Sequence, residues 1–180
     1  MEHLRDIVGS DFPAILALNA SEVEKTSHLD HDGLAALLGM SAYGKVVTVD
    51  ARVVAFLIVL PDGVPYESDN FRWFAARMPC FLYIDRVVVD ARFAGRGLGS
   101  RLYSDLFDFA RARGTTTITC EYNIEPPNPV SRAFHDRFGF REVGTQWVAG
   151  GTKQVSLQAA DARATGRGPN RSQNPGGRPR

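Results

Sequence analysis

The stretch that decides the fold is CFLYIDRVVVDARFAGRGLGS, residues 80–100. Its first half is almost continuously apolar up to Asp90, which predicts a strand buried in the centre of a sheet. Its second half, from Ala94 to Ser100, carries three glycines at alternate positions before a predicted helix that Gly114 ends. Glycine lets the backbone approach a ligand, and the N–H groups and dipole of a helix start favour phosphate. The stretch therefore predicts a phosphate- or pyrophosphate-binding turn.

The type of phosphate ligand is less sharply defined by these residues. A P-loop is excluded, because no Gly-Lys-[Ser/Thr] follows. A dinucleotide fingerprint is a near miss: Ser100 stands where its third glycine belongs, although Glu121 lies where a ribose-binding acid would be. A dinucleotide fold normally continues with further strand–helix repeats, but here only one helix and a hairpin follow. Nicotinamide dinucleotide binding stays as a weaker alternative.

The remaining pattern predicts antiparallel strands first and a strand–helix–strand unit afterwards. This order is typical of an α/β (α+β) mixed sheet that is mostly antiparallel, with helices on both faces. The expected helices start at Ser10-Asp11 and span Gly33–Met40, Leu98–Arg113 and Val130–Phe138, with one helical turn around Phe71–Arg77 in the long connection 61–79. The expected strands are Lys45–Val49, Val53–Leu60, Cys80–Asp90, Thr115–Tyr122, Arg141–Ala149 and Lys153–Gln158.

Composition bounds the class of protein. The 180 residues fit one domain, and 44% hydrophobic residues can bury a core, which excludes wholesale disorder and collagen-like or coiled-coil chains. No apolar run reaches the roughly 18–20 residues that span a bilayer, and the N-terminus is too acidic for a signal peptide. We therefore expect a cytoplasmic protein without a membrane partner.

The cysteines and histidines do not predict a metal site. Cys80 and Cys120 lack metal-ligand spacing and are expected to be buried or half-buried thiols. His3, His28 and His31 also have no partner at metal-ligand spacing, so no metal is expected.

Charge divides the chain into a domain, residues 1–158, and a basic tail, residues 159–180. The tail holds five of the 21 basic residues but only Asp161 of the 20 acidic ones, which leaves the domain with a net charge of −3. It has no large apolar residue after Leu157, so we expect a disordered Gly/Pro/Arg segment. No aromatic residue is interleaved for stacking on bases, and no nucleic-acid partner is expected.

Two motifs together resemble the GNAT superfamily of N-acetyltransferases. The first family motif is a strand, then Arg/Gln-x-x-Gly-x-Gly/Ala, then a helix; Gly97 and Gly99 match it, whereas Ala94 replaces the leading Arg/Gln. The second is an Asn followed by a helix with aromatic-Tyr-x-x-x-Gly-Phe. Its matches are Asn128, Ser131, Phe134, His135, Gly139 and Phe140, with His135 in place of the Tyr. The resemblance covers about residues 5–158.

The resemblance implies a GNAT-like fold in which two central parallel strands, 80–90 and 115–122, splay apart and hold acetyl-coenzyme A between them. The pyrophosphate would lie on the loop 94–100, and Arg92 or Arg96 would supply the charge missing at Ala94. The implied coenzyme-binding residues are Val87, Val88, Val89, Ala94, Gly95, Arg96, Gly97, Leu98, Gly99, Ser100, Asn128 and Ser131.

The expected activity is transfer of an acetyl group from acetyl-coenzyme A to a primary amine of a small molecule or peptide by direct attack. Asp85 and Glu121 are the candidate routes for the amine proton, and period-2 alternation places Asp85 on the side of Val87 and Val89. His135 is the candidate acid for the departing thiolate, because helical geometry groups it with Asn128 and Ser131.

Three further expectations concern the acceptor and the alternatives. Five aromatic residues are candidates to line the acceptor pocket: Tyr66, Phe71, Trp73, Phe74 and Trp147. A catalytically inactive coenzyme A-binding regulatory module is the competing hypothesis, which Ala94 and His135 keep open. The resemblance also leaves a homodimer open.

Overall fold

Seven strands and five helices make up the part of the chain that the structure, a computed structural model, describes: residues 1–22 and 27–164. The strands are β1 (Glu2–Asp6), β2 (Tyr43–Val49), β3 (Arg52–Pro61), β4 (Phe81–Val89), β5 (Thr117–Glu125), β6 (Arg141–Val148) and β7 (Lys153–Asp161). The helices are α1 (Phe12–Ser21), α2 (His31–Met40), α3 (Asp69–Ala75), α4 (Leu98–Ala112) and α5 (Pro129–Arg137).

All seven strands form one sheet in the order β1-β2-β3-β4-β5-β7-β6. Neighbouring strands are antiparallel except β4 and β5, which α4 connects as a parallel pair. A parallel pair needs a crossover connection, and the helix predicted after the glycine-rich turn supplies it. The mixed sheet predicted from the sequence is confirmed.

The parallel pair is short and then opens. β4 and β5 are paired at three positions, of which Tyr83↔Thr119 is the last. Both strands continue beyond this point, β4 to Val89 and β5 to Glu125, each held by its other neighbour. Beyond Tyr83 and Thr119 the two strands make no backbone pairs with each other, so an opening lies between them. The predicted splayed strand pair is confirmed.

Helices cover both faces of the sheet, which gives two hydrophobic cores. One face carries α4 and α5, and the opposite face carries α1, α2 and α3. The fully buried side chains of these helices are Leu102, Tyr103, Leu106 and Ala110 on the first face and Ile15, Leu34 and Phe74 on the second. β3 and β4 contact α1 on one face and α4 on the other, so both cores are built on the central strands.

A β-bulge interrupts β4 next to the opening. On β3, Ile58 pairs with Arg86 and Val59 pairs with Ile84, so Asp85 has no partner on that strand. Two neighbouring residues then oppose one, and the alternation of side chains between the faces changes phase at this point. This bulge decides where the charged pair of β4 lies.

One strand was not predicted, and two expectations are wrong: the end of the last strand and the burial of Cys80. β1 was not predicted, because its five residues are mostly charged and its pairing with β2 decides its conformation. β7 runs to Asp161, beyond the expected domain end at residue 158. The small side chains of Ala160 and Ala162 are buried there, although neither is a large apolar residue. Cys80 is exposed at the strand start, whereas Cys120 is buried as expected. The expected disorder of the tail concerns residues 165–180, which lie outside the described residues. No helix within the described ranges has the length and apolarity to cross a membrane.

Candidate active site

Glu121 lies at the mouth of the opening between the two parallel strands. It follows the last β4–β5 pair by two residues on β5 and shares a face with Tyr83, the last paired residue of β4. The Tyr83 hydroxyl donates a hydrogen bond of 2.9 Å to Glu121 Oε1. Glu121 Oε2 is buried and has no hydrogen-bond partner among the described residues. A buried carboxylate oxygen without a donor is costly, and such atoms concentrate where a ligand completes the site.

The surroundings of Glu121 raise its pKa to about 7. Burial is the largest cause, since it penalises the charged carboxylate; Asp85 adds to the rise. The Asn70 and Tyr83 side chains and the positive charge of Arg86 act in the opposite direction and lower the pKa. A carboxyl group whose pKa lies near neutrality can accept and release a proton at physiological pH.

Asp85 is not on the side of Val87 and Val89, and that expectation is wrong. The bulge puts Asp85 and Arg86 together on the face of α1 and α3, whereas Val87 and Val89 pack toward α4. Asp85 Oδ2 pairs with Arg86 Nε at 2.6 Å, and Asp85 Oδ1 accepts from the Tyr66 hydroxyl. Both charges of this pair are buried and satisfied.

The guanidinium of Arg86 also contacts α1 and Ser27, which precedes α2. It donates to Asn19 Oδ1 at 2.9 Å and to Ser27 Oγ at 3.1 Å. The buried pair therefore fastens the α1 face of the site to β4. We assign Asp85 a structural role, because its two oxygens are already occupied.

The glycine-rich loop forms the start of α4, as predicted. Gly97 is the N-terminal cap in the left-handed conformation, with φ of 79°, and no side chain among the described residues caps the first turn. A Cβ atom at Gly95 or Gly97 would meet no atom within 4 Å, so both positions open to solvent. The first N–H groups of α4 thus point at an open, exposed surface, which is the geometry that binds phosphate oxygens.

The two arginines beside this loop differ in whether an acidic side chain already pairs with them. Arg92 pairs with Asp90, Nη2 to Oδ2 at 2.6 Å, and the pairing lowers the Asp90 pKa to about 2. Arg96 instead stacks over the Phe93 ring, with its guanidinium carbon 4.8 Å from the ring centroid. Arg96 is therefore the better candidate for the charge that Ala94 lacks.

The other predicted coenzyme residues lie around the opening in different ways. Val87 and Val89 are half-buried toward α4, whereas Val88 is buried on the opposite face; the backbone of all three lies on the part of β4 beyond its pairing with β5. Leu98 is a core residue and Ser100 is half-buried in the first turn of α4. A Cβ atom at Gly99 would make ordinary contact with the Phe134 ring at 3.4 Å.

Asn128, Ser131 and His135 are brought together, but largely within α5. Asn128 caps this helix, since its Oδ1 accepts from the Ser131 N–H at 3.1 Å. The His135 imidazole lies 2.7 Å from the Ser131 carbonyl through Nδ1 and 2.9 Å from the Tyr103 hydroxyl through Nε2. His135 is 4% exposed and its ring stacks against Tyr122.

These contacts do not favour His135 as the acid. A carbonyl only accepts, so Nδ1 carries the proton and Nε2 accepts from Tyr103. Burial, the largest cause, lowers the pKa of His135, and the ring is neutral at physiological pH. The predicted placement of His135 facing the cleft is wrong, because Tyr103 on α4 draws the imidazole into the core.

The predicted acceptor aromatics separate into core and surface residues. Phe71 and Phe74 are buried, and the Tyr66 hydroxyl is used by Asp85. Trp73 packs edge-on against the backbone of β6: a Cβ atom at Gly144 would lie 2.5 Å from the indole. Trp147 is 57% exposed and, by strand alternation from Gly144, its side chain belongs to the opposite face.

Two residues at the site were not singled out from the sequence. Asn70 on α3 accepts a hydrogen bond of 2.6 Å from Gln146 Nε2 on β6, and the same asparagine lowers the pKa of Glu121. Neither residue belongs to a motif. The available signal was the length of the connection 61–79, which indicated a functional segment without indicating which side chain takes part.

A split parallel strand pair, a glycine-rich helix start with open space beside it and a buried carboxyl group at the split are the features of this site that a family assignment must accommodate. Residues 3–140 match the Acetyltransferase (GNAT) family, and the chain belongs to this family.

Similar proteins are acetyltransferases. A segment of 51 residues is 47% identical to phosphinothricin N-acetyltransferase of Streptomyces coelicolor, but it covers 28% of this chain and 29% of that protein, so the chain matches under a third of this curated relative. The ribosomal-protein-S18-alanine N-acetyltransferase of Escherichia coli aligns over 94% of this chain and 99% of its own, with TM-score 0.69 and 18% identity. Arabidopsis thaliana Naa50, in complex with the bisubstrate analogue CoA-Ac-MVNAL, aligns over 88% and 97%, with TM-score 0.68 and 15% identity. The structural likenesses show the shared fold.

Proposed function

We propose that the protein is an acetyl-coenzyme A-dependent N-acetyltransferase and that Glu121 accepts the proton of the acceptor amine. The observation that carries the proposal is the buried, partnerless Oε2 of Glu121 at the point where β4 and β5 separate. An ammonium group supplies the donor that this oxygen lacks. The acceptor is a primary amine of a small molecule or peptide, in line with the amine substrates in the names of the relatives.

The described residues fit coenzyme A as co-substrate. The first N–H groups of α4 and the side chain of Arg96 suit a pyrophosphate, and the open space at Gly95 and Gly97 leaves room for its oxygens. The part of β4 from Val87 to Val89 offers backbone groups beyond the β4–β5 ladder, which suits the amides of a pantetheine arm.

The reaction begins with proton removal and ends with thiolate release. Glu121 takes a proton from the ammonium group, and the amine nitrogen attacks the thioester carbonyl carbon. The negative charge that develops on the carbonyl oxygen is stabilised by backbone N–H groups at the opened edge of β4. Collapse of the tetrahedral intermediate breaks the carbon–sulfur bond. The thiolate takes up a proton from a nearby acid, and the nitrogen releases its second proton, which restores that acid and leaves a neutral amide.

Tyr122 is our candidate for the acid that protonates the thiolate, in place of His135. It is half-buried on β5, directly after Glu121 but on the face of α5, where its ring stacks on His135 at a centroid distance of 5.6 Å. Burial raises its pKa, so the hydroxyl stays protonated at neutral pH. Gln158 Nε2 donates to this hydroxyl at 3.4 Å, which leaves the tyrosine proton for another partner.

A panel of primary amines tests the proposal: amino acids, polyamines, aminoglycosides and peptides with free N-termini. Thiol release from acetyl-coenzyme A is measured with each amine, and calorimetric titration measures coenzyme A binding. We expect binding and amine-dependent thiol release with at least one class. Binding without turnover on any amine would favour the inactive regulatory module, and no binding would contradict the coenzyme assignment.

A further inference from the structure

A buried row of polar side chains lies on the face of β7 that carries α4 and α5, and it ends at Tyr122. Ser156 pairs with Tyr122 in the β5–β7 ladder, and Gln158, two residues later, lies on the same face. Ser156 is fully buried and Gln158 is 2% exposed. Polar side chains at this depth need partners inside the protein, so they fix the orientation of one another.

The hydrogen bonds of this row run in one direction, from β6 to β5. Ser156 Oγ donates to the carboxylate of Glu142 on β6. Because Ser156 gives its single proton to that carboxylate, it can only accept from Gln158, whose Nε2 lies 2.7 Å from Ser156 Oγ. The same amide nitrogen donates to the Tyr122 hydroxyl oxygen at 3.4 Å. Tyr122 therefore accepts from Gln158 and keeps its own proton for a partner outside β7.

The ring of Tyr122 is held as well as its oxygen. It stacks on the His135 imidazole at a centroid distance of 5.6 Å, with 28° between the two planes. The imidazole is itself fixed by the Ser131 carbonyl and the Tyr103 hydroxyl, at 2.7 and 2.9 Å. Contacts on the ring and on the oxygen thus give the phenol a defined orientation. A donor that is oriented in advance needs no rearrangement at the moment when charge develops.

We propose that Gln158, oriented by Ser156, is a positioning residue for Tyr122: its amide N–H holds the phenol oxygen so that the O–H is directed at the departing thiolate. This inference rests on the proposed role of Tyr122 as the acid. The Tyr122 O–H bond breaks, a sulfur–hydrogen bond forms, and the Gln158 N–H stabilises the tyrosinate oxygen. The second proton of the attacking nitrogen then returns to this oxygen and restores the phenol.

Other titratable or charged groups face Tyr122 or act on it from α4, α5, β5 and β6: Tyr103, Arg132, His135, Asp136, Cys120 and Glu142. Burial is the largest cause that raises the pKa of Tyr122; the Ser156 hydroxyl and Arg132 lower it, whereas the two carboxylates add to the rise. Burial keeps His135 neutral by lowering its pKa, and keeps Tyr103 and Cys120 neutral by raising theirs. Gln158 is the uncharged side chain that donates to the phenol oxygen.

A double-mutant cycle of Gln158→Leu and Tyr122→Phe tests the inference, with acetyl-coenzyme A and the most active amine of the panel. We expect Gln158→Leu to lower kcat by about three- to tenfold, as for one lost hydrogen bond, with little change in KM. In the Tyr122→Phe background the same replacement should cost no further kcat, because the group that Gln158 positions is absent. Gln154→Leu is the matched control and should keep the wild-type kcat. Gln154 is a half-buried glutamine on the same face of β7, opposite Glu125 rather than Tyr122.

Nuclear magnetic resonance of the protein with ¹³C-labelled tyrosine gives a measurement that does not depend on activity. The Tyr122 ring signal is the one absent from Tyr122→Phe, and its shift with pH reports ionisation of the phenol. A donor to the phenol oxygen favours the ionised form, so Gln158→Leu should raise the pKa of Tyr122 by about half to one unit. Ser156→Ala, which removes the acceptor that orients the amide, should move the pKa in the same direction. Melting temperatures check that each variant folds.

The outcomes distinguish the two proposals. If Tyr122→Phe keeps the wild-type kcat, the proposed role of Tyr122 as the acid fails. If Tyr122→Phe loses kcat but Gln158→Leu does not, or if the two losses multiply in the double variant, the positioning role alone fails. An unchanged pKa of Tyr122 in Gln158→Leu would overturn it too. A loss of kcat that vanishes in the Tyr122→Phe background, together with the upward pKa shift, supports the inference.

Discussion

The Tyr83 hydroxyl donates to Glu121 Oε1 at 2.9 Å, across the position at which β4 and β5 stop pairing. The bond joins Tyr83, the last residue of β4 that pairs with β5, to the carboxylate of Glu121, which lies on β5 just beyond that pairing. The two strands therefore separate at the position where a buried carboxylate has one oxygen bonded and the other without a donor among the described residues. Tyr83 supplies the one donor, and Oε2 is left for the proposed acceptor ammonium.

Tyr83→Phe removes the donor to Oε1. We expect kcat to fall by about tenfold at neutral pH, with a smaller change in KM, because a hydrogen bond to a charged group contributes roughly 1.5–3 kcal/mol. The hydroxyl lowers the pKa of Glu121, so its loss also moves the acid limb to higher pH. Tyr66→Phe is the control, since it removes a hydroxyl on the same face that donates to Asp85 instead. Steady-state kinetics with equal losses in both variants would contradict the assignment.

Gly97→Val should cost most of the affinity for coenzyme A, because its side chain would occupy the open surface over the helix start. The left-handed φ of 79° adds backbone strain of about 1–2 kcal/mol. Gly114→Val is the matched control: Gly114 also has a left-handed φ, of 74°, and open space, but it ends α4 rather than starting it. Calorimetric titration should show weak binding in the first variant and unchanged binding in the second. Equal affinities would exclude the loop as the phosphate site.

His135→Phe should lower stability rather than remove catalysis. The change leaves the Tyr103 hydroxyl and the Ser131 carbonyl without their partner, at a cost of about 1–3 kcal/mol. The folded-state pKa of His135 lies below its unfolded value of about 6.5, so its contribution to stability is present above pH 6.5 and is lost as pH falls. Melting temperatures between pH 5 and 8 should therefore vary less in His135→Phe than in the wild type. A large fall in kcat with unchanged melting temperature would restore His135 as the acid.

Shortening the chain after Ala164 should leave the melting temperature unchanged, because all described contacts of the domain are kept. Shortening it after Gln158 removes the end of β7, with buried Ala160 and Ala162. It also removes the hydrogen bonds of Ala162 with Thr116 and Arg111, of 2.8 and 2.9 Å. We expect a loss of about 2 kcal/mol, or roughly 4–8 °C in the melting temperature. Thermal unfolding of both variants measures the boundary; equal melting temperatures would contradict it.

The sequence was sufficient for the elements whose signal is local. Gly97 before the first turn of α4 and the apolar run of β4 predicted the strand, the turn and the helix, and the order of elements predicted the mixed sheet. Glu121 was a candidate from its position late in the next strand. The charged strand β1 escaped prediction, because only its pairing with β2 makes it a strand.

What escaped prediction depends on contacts between distant residues. The bulge at Asp85 places that side chain on the opposite face from Val87 and Val89, and the local alternation of residues does not predict the bulge. His135 was expected to face the cleft from its helical position, but the Tyr103 hydroxyl, 32 residues earlier, holds the imidazole inside. Asn70 and Gln146 are 76 residues apart and meet only when α3 packs across the sheet.

If Glu121 removes the proton of the acceptor amine, the protonation state of this carboxyl group controls the rate. The most direct measurement is kcat/KM against pH for the wild type and Glu121→Gln, with acetyl-coenzyme A and the best amine of the panel. A base must be deprotonated to act, so wild-type activity should rise with pH through an apparent pKa near 7. Burial raises the pKa of the Glu121 carboxyl group to about this value. Glu121→Gln should lose this limb and about 10²–10⁴-fold in rate at neutral pH. A variant with wild-type rate and an unchanged limb would exclude Glu121 as the base.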